Sequence, residues 1–177
     1  KILQRKKKSI LEQWMKNQLT DETLREDLIS NDELREQSEE LLNTLLSILN
    51  EDNIRNGDSS EFEPVVEILS GISITRARQG FSPRETGLYV LSLKEAMLQT
   101  LQTEIKDDPL ALYNSSIQVN RMIDSFSMVT FDTYIKGREE VILRQTDEIT
   151  EISTPVIRVW DGILALPIIG TLDSART

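Results

Sequence analysis

The sequence contains no cysteine and no histidine, and each absence removes a class of chemistry. Without cysteine there is no disulfide, no thiol nucleophile and no thiolate metal site. That absence fits a reducing, cytoplasmic setting. Without histidine the commonest general base, the commonest metal ligand and the usual proximal ligand of haem iron are missing. Aromatic residues make up only 5% of the chain, so a core must be built mainly from Leu, Ile, Val and Met. No uninterrupted apolar run is long enough to cross a bilayer, and no signal-peptide pattern appears, so no membrane partner is expected. Glycine is scarce, while Leu, Glu and Gln abound, and that balance favours helices.

What is present suffices for a folded domain. The 177 residues are 38% hydrophobic, which predicts one full domain plus a remainder rather than a disordered chain. The formal net charge is -10, unevenly placed. Lys1, Arg5, Lys6, Lys7 and Lys8 crowd the start, whereas the stretch from Asp21 to Glu63 is strongly acidic. Such a surface repels phosphates, so nucleic acid is not an expected partner. The basic start reads as a solvated first helix turn, or else as a contact for an acidic neighbour. The chain opens at Lys1 and stops at Thr177 in mid-pattern, as a fragment would.

Helical periodicity dominates up to about residue 153. Ile2, Leu3, Ile10, Leu11, Trp14 and Met15 form one stripe, and Asp21 to Ile29 predicts a short helix with Leu24 and Leu28 inward. Ser30-Asn31-Asp32-Glu33 has the form of a capping box. It opens a helix whose Leu34, Leu41, Leu42, Leu45, Leu46 and Leu49 share a broad face, ending near Asn50. Asn53 to Ser60, with Asn56-Gly57-Asp58, is the clearest loop. A further helix carries Val65, Val66, Ile68, Leu69, Ile72 and Ile74 and stops before Gly80. Ser82-Pro83-Arg84-Glu85 combines a capping serine, proline at the first helical position and glutamate at the third. The helix it opens holds Leu88, Val90, Leu91, Met97, Leu98, Leu101 and Ile105.

Asp108-Pro109 repeats that start signal, and one long or slightly broken helix is predicted from there to about Ser153, with Gly137 as its one weak point. Its first half, with Leu112, Ile117, Val119, Ile123, Phe126, Val129 and Phe131, suits a packed core or an interface. In its second half Ile135, Ile142 and Ile149 recur every seven residues, while Arg138 and Gln145 fill the companion positions. This weak seam fits a solvated connecting helix and a helix paired across a dimer equally well. The grammar changes at Thr154-Pro155. Val156 to Trp160 is β-rich, Asp161-Gly162 is a hairpin signal, and Ile163 to Ile169 reads as a second strand. Gly170 to Ser174 then reads as a strand-to-helix turn. A lone hairpin is marginally stable, so these residues predict the opening of a second domain.

Nothing in the sequence pairs a nucleophile with a base. The many carboxylates read as solvated helix faces and caps rather than as paired catalytic acids. No phosphate-binding glycine loop is present, and the acidic stretch from Asp52 to Glu61 misses the calcium-loop spacing. Haem held by Tyr or Met is compatible with composition but unsupported by any motif. Ser174, with Thr171 and Asp173 before it, stands where a phosphate would meet free backbone N–H groups, although Asp and Ser are also ordinary caps there.

Thr154-Pro155-Val156-Ile157, Trp160-Asp161-Gly162-Ile163-Leu164 and Leu166-Pro167-Ile168-Ile169-Gly170-Thr171-Leu172-Asp173-Ser174 together resemble the start of a STAS domain. More narrowly they resemble that of RsbR-type co-antagonists of the bacterial stressosome. Gly80-Phe81-Ser82-Pro83-Arg84-Glu85-Thr86, with Ser92-Leu93-Lys94 beyond it, is similar to the helical N-terminal domains of that group.

The resemblance implies an all-α, globin-like bundle without haem or other cofactor over residues 1–133, a linker helix over 134–153, and the beginning of a STAS domain over 154–177. It also implies a homodimer, and a scaffold STAS protein and a serine/threonine switch kinase as partners in a cytoplasmic stress response. The family's first phosphoacceptor falls on Ser174, with Thr171 as the neighbouring alternative. Candidate interface residues are Leu112, Ile117, Phe126, Ile135, Ile142 and Ile149. On this reading the chain is a non-enzymatic sensory and dimerisation module. The competing readings are a sensor holding haem, lipid or another small molecule in its helical core, and an enzyme controlled by the STAS-like tail.

Overall fold

A computed structural model describes residues 1–20, 27–57, 59–152 and 157–165. Among the described residues there are six α-helices followed by a β-hairpin. The helices are α1 (Ile2–Arg5), α2 (Lys7–Leu19), α3 (Asn31–Ile48), α4 (Glu63–Gln79), α5 (Pro83–Glu104) and α6 (Pro109–Ile152); the strands are β1 (Ile157–Trp160) and β2 (Ile163–Ala165). The chain divides into two units, Lys1–Arg138 and Glu139–Thr177.

In the first unit α2 packs on α5 and α3, and α3 packs on α4. The first apolar stripe is broken at Lys6, where φ is -101°, yet Leu3, Ile10, Leu11, Trp14 and Met15 are all buried. The helix predicted over Asp21 to Ile29 falls mostly outside the described residues; Asp27 to Ile29 form a turn. Helix α3 begins as predicted, with the Ser30 hydroxyl accepting from the Glu33 N–H. It buries Leu34, Leu41, Leu42, Leu45 and Leu46.

The loop after α3 is tied by its own amides. Asn53 Nδ2 donates to the Ile48 carbonyl at 2.8 Å and to Glu61 at 2.7 Å, and Asn50 Nδ2 donates to the same Glu61 oxygen at 2.9 Å. Helix α4 stops at Gly80, whose φ of 93° lets its N–H and that of Phe81 both return to the Arg76 carbonyl. Two residues later the complete reciprocal capping box at Ser82 and Glu85 starts α5. The buried face of α5 runs through Thr86, Tyr89, Val90, Leu93, Ala96, Met97, Thr100 and Leu101. Leu91, expected among them, is 38% exposed, because it lies one residue out of phase with that stripe.

The expected weak point in the last helix is not a break: α6 runs unbroken through Gly137. Instead Gly137 permits close packing, since a Cβ there would lie 3.3 Å from Ala77 Cβ and from Ile74 Cα of α4.

In the second unit, β1 and β2 pair antiparallel, with Ile157 opposite Ala165, Arg158 opposite Leu164 and Trp160 opposite Ile163. The register slips between Arg158 and Trp160. Gly162 takes a φ of 81°, while among the described residues no non-glycine residue, Asp161 included, has positive φ. The Asp161-Gly162 turn is therefore not the mirror-image turn with two left-handed residues, and a bulge absorbs the mismatch. The structure is thus an all-α bundle followed by a short C-terminal hairpin.

Candidate functional site

The most unusual side chain in the bundle is Arg76, a full charge with only 3% of its surface exposed. It sits in the last turn of α4, in phase with Val65, Leu69 and Ser73 on the buried face. Its guanidinium carbon lies 4.4 Å from the centre of the Tyr89 ring and 5.1 Å from that of Phe81. Each such contact contributes about 0.5–2 kcal/mol. A desolvated charge costs several kcal/mol, so the two rings offset only part of it. Arg76 Nη1 reaches the Glu85 carbonyl at 3.5 Å, while Nε and Nη2 have no protein partner.

Two polar groups one helical turn apart on α5 share this condition. Glu85 Oε2 accepts from the Ser82 N–H at 2.7 Å, which fixes the carboxylate at the cap, but Oε1 has no protein partner. The Tyr89 hydroxyl makes no hydrogen bond of good geometry. Burial pushes its pKa well above the usual phenol value, an effect that nearby Ser38 and Arg76 oppose. The phenol therefore stays protonated, a neutral donor. Burial likewise lowers the Arg76 pKa, against the pull of Tyr89 and Glu85.

The rest of the Tyr89 environment is fixed. Trp14 lies with its ring centre 4.9 Å from that of Tyr89 and donates its indole N–H to the Tyr89 carbonyl at 2.9 Å and to Ser92 Oγ at 3.1 Å.

Helix α6 is fastened beside this cluster. The Tyr134 hydroxyl donates to the Phe81 carbonyl at 2.5 Å, so the short turn between α4 and α5 touches both Arg76 and α6. Ser70 and Thr133 share a hydrogen bond of 3.4 Å. Gly87 leaves room for Phe131, whose ring a Cβ at that position would overlap. Tyr134 and Gly137, expected in the linker, are thus packed residues of the bundle.

The expected interface residues divide by exposure. Ile135, Ile142 and Ile149 are 54%, 50% and 68% exposed. Leu112 and Ile117 are half-buried. Phe126 is buried and packs edge-on against Phe62, ring centres 5.3 Å apart. Its ring is packed inside the chain. The candidate phosphoacceptors Ser174 and Thr171 lie outside the described residues.

Arg76 and Tyr89 were not singled out in the sequence, and Glu85 was read only as a helix cap. A signal existed: an arginine in phase with the apolar stripe of α4 belongs either to a partner or to a ligand. The cluster offers unpaired donors beside a fixed positive charge, the chemistry that recognises an anion. Among the described residues no group of three or more acidic side chains is placed to hold a metal ion, and no helix is long and apolar enough to cross a membrane.

No curated protein and no solved structure matches the chain. Residues 8–149 match the family described as the RsbT co-antagonist protein rsbRD N-terminal domain. That match spans all but the first residue of α2, then α3 to α5 and nearly all of α6, including every residue of the buried cluster and its attachment to α6. The chain belongs to the RsbT co-antagonist rsbRD N-terminal domain family, a family of stressosome-associated regulatory domains.

Proposed function

We propose that this chain is a non-enzymatic sensory and dimerisation module of a cytoplasmic stressosome protein. On this reading it is a globin-like bundle without haem, pairs with a second copy, and leads through α6 into a STAS domain begun by the hairpin. The STAS domain, with a scaffold relative, holds a serine/threonine switch kinase and frees it under stress. The observation that carries the reading is the family match over a helix that is clamped to the bundle as far as Gly137 and then bears isoleucines seven residues apart. Exposed isoleucines at that spacing favour a seam with a partner helix over a fully solvated connector. A change of packing around α4 and α5 would reach the hairpin along α6, a shift of one packed element on another.

Gentle electrospray mass spectrometry tests the pairing. The wild-type chain is expected at the mass of a dimer, and the double variant Ile135→Lys, Ile142→Lys at that of a monomer. A dimer that survives both charges sinks the seam.

Ser174 is the proposed phosphoacceptor, with Thr171 as its neighbour. Phosphopeptide mapping of the intact protein, after incubation with its kinase, should place most of the label on Ser174. Label confined to other residues removes that assignment.

A further inference from the structure

We propose that Arg76 anchors a site for a small oxyanion inside the bundle, with the Tyr89 hydroxyl as an additional donor. Two of the three guanidinium nitrogens are unpaired. Nε and Nη2 lie on one edge of the guanidinium and present two parallel N–H bonds, the fork that receives two oxygens of a carboxylate or phosphate. That edge has no protein partner, whereas the opposite nitrogen, Nη1, is turned to the Glu85 carbonyl. The rings of Phe81 and Tyr89 hold the guanidinium in place without using any of its donors. A planar fork held this way pays little ordering entropy when an anion binds.

The neighbours narrow the ligand. Arg76, Glu85 and Tyr89 are only 3%, 9% and 2% exposed, so the ligand is a molecule of a few heavy atoms and not a peptide or a surface. Glu85 is held at the Ser82 N–H through Oε2, and its Oε1 makes no hydrogen bond to the guanidinium. Its negative charge, one helical turn from Tyr89, disfavours a dianion. The class is therefore a small monoanion with two coplanar oxygens: a short carboxylate, bicarbonate or singly charged phosphate. The consequence for the protein lies in the turn. The Arg76 carbonyl receives the N–H groups of Gly80 and Phe81, and the Phe81 carbonyl receives Tyr134 of α6. An anion that fixes Arg76 thus steadies the turn to which α6 is fastened.

This site is independent of the dimer seam, and its test reads a different quantity. Thermal unfolding of the chain is measured in sodium formate, bicarbonate or phosphate against sodium chloride at equal ionic strength and pH. At roughly a hundredfold excess over Kd, one of these anions is expected to raise Tm by about 5 °C or more over chloride. The ¹⁵N-edited resonance of the Arg76 Nε–H should move and saturate with the same anion. In Arg76→Gln both responses should vanish. Tyr89→Phe keeps the ring over the guanidinium and should weaken binding about tenfold, which tests the site should the Arg76 variant fail to fold. Equal melting in all four salts with an unmoved Nε–H resonance overturns the proposal, as does an undiminished anion response in Tyr89→Phe and Arg76→Gln.

Discussion

Phe126→Ala is expected to destabilise the bundle by about 3–5 kcal/mol, the usual range for deleting a buried phenyl ring. The ring is 1% exposed and meets Phe62 edge-on. Beside it Met122 and Ile123 are fully buried on the same helix, so the surroundings have little freedom to collapse into the hole. Urea denaturation at two protein concentrations checks this. A core residue shifts the midpoint equally at both concentrations, whereas an interface residue shifts it more when the protein is concentrated, where the wild-type dimer is most populated. Ile142→Ala provides the contrast. Its side chain is half exposed, so the bundle itself should change by no more than about 0.5 kcal/mol. A Phe126→Ala protein with an unchanged midpoint but a halved native mass would return Phe126 to the interface, where sequence alone had put it.

That residue shows where the sequence was legible and where it was not. Local signals needed no tertiary context. Ser82-Pro83-Arg84-Glu85 became a complete capping box because its partners are all within four residues, and Asp108-Pro109 began a helix for the same reason, Asp108 accepting from the Ala111 N–H at 2.9 Å. The leucine stripe of α3 was equally plain, since all its members are one residue type at helical spacing. Asp161-Gly162 turned between two strands as expected, although the register around it could not be read from composition.

The misreadings concern which face of a helix meets what. On α6 the apolar residues before Gly137 are shared between the core and the surface, and nothing in Leu112, Ile117 or Phe126 by itself says which. The phase is set by glycines at close approaches, and Gly137, which looked like a weak point, is where α6 rests on Ile74 and Ala77. The buried cluster was hidden by a different assumption. Arginine is a surface residue by habit, and only its phase with Val65, Leu69 and Ser73 places Arg76 inside. Glu85 looked fully explained by its cap, yet only one of its two oxygens is used there.

Trp14 offers the other large effect, and separates bulk from hydrogen bonding at the edge of the same cluster. Trp14→Ala is expected to cost about 3–5 kcal/mol, since the indole is wholly buried and a cavity would remain. Trp14→Phe should cost only about 1–2 kcal/mol. It keeps most of the ring volume and loses two hydrogen bonds, but the Tyr89 carbonyl is not left unpaired, because Ser92 Oγ also donates to it at 3.0 Å. Denaturation followed by circular dichroism gives both values. Fluorescence of Trp14→Phe then reports Trp160 alone, which is 75% exposed and should emit as a solvated indole. If Trp14→Phe proves as damaging as Trp14→Ala, the indole N–H rather than its volume holds α2 to α5. The two variants should also differ in what they do to the guanidinium site. Phenylalanine still backs the Tyr89 ring that covers Arg76, so the anion response should persist in Trp14→Phe. Alanine frees that ring to move into the cavity, and Trp14→Ala should lose most of the anion response even at temperatures where it remains folded.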